Sequence, residues 1–219
     1  MLKYIISIVL TGIFWSVSAQ WDSLPPAERP GIRLAYDIGK KAWSVYRGGN
    51  IDDIRLTLQY RDHRLDMTFG RENMPYEHEW YRLQADGYYW KAGYAYNFFE
   101  NWGDMRNDVT LGMAVAKARF DYRLLSYTRL PLTPVFDPVT VETDEYYPGL
   151  SAFWLEVTSA VRAELWKGLF LELHVSGKYM LRGSGDDRVG LVYVPGFYTT
   201  NISRFGFGLG YKISYLISF

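Results

Sequence analysis

From Phe205 to the end of the chain the sequence alternates without a break. Phe205, Phe207, Leu209, Tyr211, Ile213, Tyr215, Ile217 and Phe219 take one set of alternate positions. Gly206, Gly208, Gly210, Lys212, Ser214, Leu216 and Ser218 take the other. Successive side chains of an extended strand point to opposite faces. The segment therefore turns an aromatic and aliphatic face to one medium and small or polar groups to another. That pattern is expected of the terminal strand of an outer-membrane β-barrel. Within it, Tyr211, Ile213, Tyr215, Ile217 and Phe219 are the candidate barrel-assembly signal.

The opening residues point the same way. Lys3 supplies positive charge, Tyr4–Trp15 an apolar core, and Val17 and Ala19 the small residues of a cleavage site before Gln20. This is the layout of a secretory signal peptide, and its apolar core of about 12 residues is short of the roughly 20 a spanning helix needs. The chain has no cysteine, so lipoprotein acylation, disulfides and thiol chemistry are excluded together. The expected organisation is a signal peptide over 1–19, a periplasmic lead-in over 20–30 that carries Pro25, Pro26 and Pro30, and a barrel over 31–219.

Composition supports a barrel over a helical membrane protein. Aromatic residues make up 18% of the chain and charged residues 22%. No segment after the signal peptide offers the long apolar run of a spanning helix. Barrels show this intermediate polarity because every second residue faces the lumen. A formal net charge of zero argues against nucleic acid as a partner, since such affinity comes largely from phosphate neutralisation.

Alternation divides 31–219 into eight strand candidates. The first runs over 31–46, on Ile32, Leu34, Tyr36 and Ile38. The next two are carried by Ile54, Leu56, Leu58 and Tyr60, and by Leu65, Met67 and Phe69. Tyr88–Phe98 and Val109–Leu125 follow, then strands on Phe153–Glu164 and Leu169–Lys178, and finally the C-terminal strand. Short connections are expected at 61–63, 99–108 and 166–168, and long loops at 71–86, 127–148 and 182–202. Short turns at one end and long loops at the other are the barrel pattern, and an even strand number leaves both termini on the periplasmic side. The expected fold is all-β, an eight-stranded antiparallel transmembrane up-and-down barrel.

A barrel of this size has an interior that side chains can fill. Alternation places Arg33, Asp37, Arg55, Asp66, Lys91, Glu156, Arg162, Glu172, His174, Lys178 and Lys212 on the lumen face, where interspersed signs suit a network of buried ion pairs. Trp43, Tyr60, Trp90, Trp166 and Tyr211 suit interfacial girdles, whereas Trp154 falls on the lumen face. His174 and Ser176 are a weak candidate pair for acyl hydrolysis. Their His-x-Ser spacing resembles that of outer-membrane lipid A deacylases, in which the pair faces lipid; here it shares the lumen face with Glu172 and Lys178. His63 and His78 read as surface histidines, the acids at 142–145 and 186–187 as solvated loop tips, and no cofactor or metal is expected.

Arg29-Pro-Gly-Ile-Arg33, Glu100-Asn-Trp-Gly-Asp104, Ser203-Arg-Phe-Gly-Phe207 and Tyr211-Lys-Ile-Ser-Tyr215 together resemble an uncharacterised family of small outer-membrane barrels of the Bacteroidota. The motifs of the resemblance are structural, and it carries no catalytic residue over to this chain. It also implies the company of larger outer-membrane assembly or secretion machinery. The expected partners are outer-membrane lipid, the barrel-assembly machinery that inserts the chain, and another outer-membrane or periplasmic protein.

Overall fold

The computed structural model describes residues 30–99, 106–129, 138–184, 190–199 and 204–218. The expected signal peptide, nearly all of the lead-in, the 100–104 turn, Asp186, Asp187 and Phe219 lie outside these residues.

The elements in chain order are β1 (Gly31–Asp37), α1 (Ile38–Tyr46), β2 (Asn50–Tyr60), β3 (His63–His78), β4 (Tyr81–Asn97) and β5 (Asp108–Arg129). They continue with β6 (Val139–Trp166), β7 (Leu169–Ser184), β8 (Tyr193–Val194), β9 (Tyr198–Thr199) and β10 (Phe205–Ser218). Eight of the strands form a closed antiparallel ring in the order β1-β10-β7-β6-β5-β4-β3-β2, and β8 and β9 form a separate ribbon. β10 closes the ring on β1, with Gly31 opposite Ser218 and Asp37 opposite Lys212. Closure removes the open sheet edges that hydrocarbon does not tolerate. Both described chain ends thus lie at one end of the barrel, the terminal end, with the two-residue turns at 61–62 and 167–168.

The alternation of the sequence becomes the two faces of this wall. Leu58, Met67, Tyr94, Met113, Leu173 and Leu209 are among many large apolar side chains left exposed on the outside. A soluble protein rarely carries so continuous an apolar surface, whereas a membrane barrel requires one. The structure is that of an outer-membrane β-barrel.

Two features differ from the sequence reading. The first strand stops at Asp37, and the helix α1 occupies 38–46, where a continued strand was expected. Asp37 caps it, accepting a hydrogen bond from the Lys40 backbone N–H at 2.9 Å, as N-cap carboxylates do. The helix packs on both flanking strands, and Gly39 comes so close to β10 that a Cβ there would lie 3.0 Å from the Tyr211 nitrogen.

Of the long loops expected at the distal end, the described parts of 71–86 and 127–148 are also largely strand. β3 and β4 run on to a turn at 79–80, and β5 and β6 continue through 118–129 and 139–150 as a hairpin beyond the apolar belt. There the Arg123 guanidinium donates to Asp144 at 2.7 Å, and that hydrogen bond holds the Asp144 carboxyl below the usual carboxylate range. Pro75 had signalled a loop. β2 pairs with β3 only as far as Asn50 opposite Asn73, so Pro75 sits on an open edge, where its missing donor costs no ladder bond.

Candidate functional site

The lumen is closed by two layers of different chemistry. At the terminal end, Asp108 on β5 accepts from Arg33 Nη1 of β1 and Arg64 Nη2 of β3, each at 2.8 Å, with Arg162 Nη1 of β6 at 3.6 Å. Arg162 also donates through Nε to Glu172 of β7 at 2.6 Å, and Arg55 of β2 reaches the other Glu172 oxygen at 2.7 Å. Farther along, Lys91 pairs with Glu156 at 2.7 Å. Asp53 is held by Lys40 at 2.6 Å and Lys212 at 2.5 Å, and Lys212 lies 3.2 Å from Asp37. Asp66 accepts from the Thr57 hydroxyl. Charges buried this deeply persist only when paired and hydrogen-bonded, and these are.

The pairs enclose a cavity of about 50 Å³, room for a few waters at most. His174 lines it, with Nε2 3.9 Å from Asp37 and Nδ1 3.5 Å from Glu172.

The distal layer is apolar. The ribbon between β7 and β10 folds into the barrel mouth and buries Val192, Tyr193, Val194 and Phe197 against Trp154, Tyr89, Tyr122 and Phe120 of the wall. Its turn is Val194-Pro195-Gly196-Phe197, where the Phe197 N–H donates to the Val194 carbonyl at 3.0 Å and Gly196 has φ +77°. Proline followed by a positive-φ glycine is the signature of a type II turn. The wall holds this plug by its backbone and by one tyrosine. Tyr122 OH donates to the Tyr193 carbonyl at 2.6 Å and accepts from the Val192 and Tyr193 N–H groups, each at 3.1 Å. Lys178 donates to the Gly196 carbonyl at 2.8 Å, and Tyr193 OH to Glu72 at 2.8 Å.

Every residue of the lumen charge set therefore points inward, and so does Trp154. Lys40, Asp53, Arg64, Glu72 and Asp108 are buried in the same interior but lie outside the lumen set read from alternation. Asp53 is in phase with Arg55, and Arg64 with Asp66, so extending each strand by a step would have found them. Lys40 lies on α1, where strand phase has no meaning. His174 and Ser176 are both buried in the lumen and no hydrogen bond joins them, so the pair neither faces lipid nor forms a relay. Of the candidate assembly signal, Tyr211, Ile213, Tyr215 and Ile217 are exposed on the outer wall. Among the described residues no group of histidine, aspartate or glutamate side chains could hold a metal ion.

The model of a sequence family described as Domain of unknown function (DUF6048) matches residues 1–219. The chain belongs to that family. Comparison with curated proteins returns no match. Among solved structures, the N-terminal β-barrel domain of Pseudomonas aeruginosa OprF is similar at 8% identity and TM-score 0.44, over 87% of this chain and 98% of that one. Neisserial surface protein A (NspA) is similar at 11% identity and TM-score 0.43, over 87% and 95%. In this DUF6048 member, an outward apolar belt surrounds a lumen filled by ion pairs and by the buried ribbon.

Proposed function

We propose that the protein is a non-enzymatic outer-membrane barrel that works through its outer wall, as a structural or accessory subunit of a larger outer-membrane complex with both termini in the periplasm. The observation that carries this reading is the doubly closed lumen. Among the described residues, an interior filled by ion pairs at one end and a folded ribbon at the other leaves only a cavity of about 50 Å³, too small for a substrate or a solute path. The absence of a His174–Ser176 relay removes the one geometric argument for lipid hydrolysis. Purified protein in planar bilayers is accordingly expected to show no steady conductance. A reproducible single-channel step would mean that the plug leaves the mouth, and would favour a small channel over a structural barrel.

The outer wall has one irregular stretch suited to contact. β10 pairs with β1 only from Lys212 onward, so among the described residues Gly206–Tyr211 have no β1 partner in the ladder. The helix α1 fills this break between β10 and β2, and turns Trp43 (55% exposed), Val45 (64%) and Tyr46 (82%) outward. An aromatic helix face beside an unpaired strand edge matches the composition of protein contact surfaces, where aromatics are the usual anchors. The double variant Trp43→Ala, Tyr46→Ala is expected to lose the proteins that co-purify from gently solubilised outer membrane, while keeping its heat-modifiable migration on unboiled gels. Unchanged co-purification in a folded double variant would rule this face out.

A further inference from the structure

We propose that the distal outer wall carries a binding site for the phosphate of a membrane glycolipid, built on Lys117 and Arg119 of β5. The inference rests on the outer-membrane reading above and adds a ligand to it. Leu111, Met113 and Val115 mark the outward phase of β5 as it crosses the apolar belt, and Lys117 and Arg119 are the next two outward positions. Lys117 stands in register with Trp90 of β4 and Phe153 of β6, and Arg119 with Tyr88 and Ser151. Two cations thus emerge at the level of an aromatic band, where acyl chains give way to headgroups. Side chains two apart on one strand face are about 7 Å apart at their bases, within reach of one phosphate for groups this long. Arginine adds the fork geometry that phosphate oxygens match.

Neither cation has an ion pair or hydrogen bond among the described residues, although two carboxylates lie close by. Asp86 and Asp121 face each other across β4 and β5 and help line the groove of about 500 Å³ that contains Lys117 and Arg119. Both are already engaged. Asp86 accepts from Asn73 Nδ2 at 2.6 Å and lies 3.7 Å from Arg71. Asp121 accepts from Tyr146 OH at 2.6 Å and the Gly149 N–H at 2.8 Å. Contrast the neighbouring cation at the same rim, Lys41, which pairs with Asp52 at 2.9 Å. Lys117 and Arg119 therefore stand at headgroup level without an ion-pair partner among the described residues, above the apolar wall that would receive the chains of the same lipid.

The test is native mass spectrometry of detergent-purified protein titrated with bisphosphorylated lipid A, its dephosphorylated form, and inorganic phosphate. Unboiled-gel migration checks the fold of each variant. Bisphosphorylated lipid A is expected to bind, and to bind about tenfold or more weakly to Lys117→Gln, Arg119→Gln. The dephosphorylated lipid is expected to bind the native protein as weakly. The control Lys41→Gln, which removes a partnered cation outside the groove, is expected to bind like the native protein. Equal binding of the dephosphorylated form, unchanged binding in the Lys117/Arg119 variant, or an equal loss in the control would each overturn the assignment. Inorganic phosphate competing at concentrations comparable to the lipid would reassign the groove to a free anion.

Discussion

Asp108→Ala is expected to lower the unfolding free energy of the barrel by about 3–5 kcal/mol, the range for removing one partner of a buried charge pair. The size follows from how many cations depend on it. Asp108 is 3% exposed and Arg33, Arg64 and Arg162 are 1%, 1% and 2%, so the freed guanidinium groups cannot turn to water. Arg162 keeps Glu172, and Arg33 keeps Gln59 Oε1 at 3.3 Å. Arg64 keeps only backbone carbonyls of the 61–63 turn. Arg33→Ala is expected to cost less, because Asp108 would retain Arg64. Urea unfolding in lipid vesicles, followed by tryptophan fluorescence and gel mobility, measures both. A loss for Asp108→Ala below about 1 kcal/mol, the scale of a solvent-exposed pair, would mean that water already screens this layer.

The second large effect belongs to the plug. Gly196→Ala is expected to destabilise by about 3 kcal/mol, and Gly149→Ala by about 1 kcal/mol, from the general costs of left-handed backbone and overpacking. The two glycines have nearly the same backbone, φ +77° and +76°, but different surroundings. A Cβ at Gly149 meets nothing within 4 Å, whereas one at Gly196 would lie 2.7–2.9 Å from ring carbons of Tyr89. Their difference isolates the contact from the strain. Tyr89 cannot retreat cheaply, since its hydroxyl donates to Asp53 at 2.5 Å and accepts from Lys40 at 3.1 Å. Equal losses at the two positions would show that the ribbon is not seated in the mouth.

Much of this was legible because a membrane wall enforces the period of two residue by residue. Leu65, Met67 and Phe69 must face one way and Asp66 and Thr68 the other, and no tertiary contact is needed to read it. Legibility failed where the wall stops facing lipid. Ile38, Trp43 and Val45 continue the apolar character of β1 loosely enough to pass for strand. The helix signals were present in Asp37 as a cap and in Gly48, at φ +73°, just past the end. Beyond the belt, Asn73, Pro75 and Pro148 suggested loops, but β3 and β6 tolerate proline there as open-edged strands. The ribbon was invisible for another reason. Its burial depends on Tyr122 and Trp154, which are distant in sequence, and Tyr193-Val194-Pro195-Gly196 alone reads as a surface turn.

The ion pairs also constrain how the molecule comes into being. Arg33 on the first strand meets Asp108 on the fifth, Arg55 on the second meets Glu172 on the seventh, and Lys212 on the last meets Asp53 on the second. None of these partners are neighbours in the ring. A partly assembled sheet would leave Arg33, Arg55 and Lys212 without these partners, although Asp108 and Glu172 keep Arg162 and Asp53 keeps Lys40, so full neutralisation waits for the last seam to be stitched. The seam between β1 and β10 thus completes the charge pairing of the interior as well as the backbone pairing of the wall.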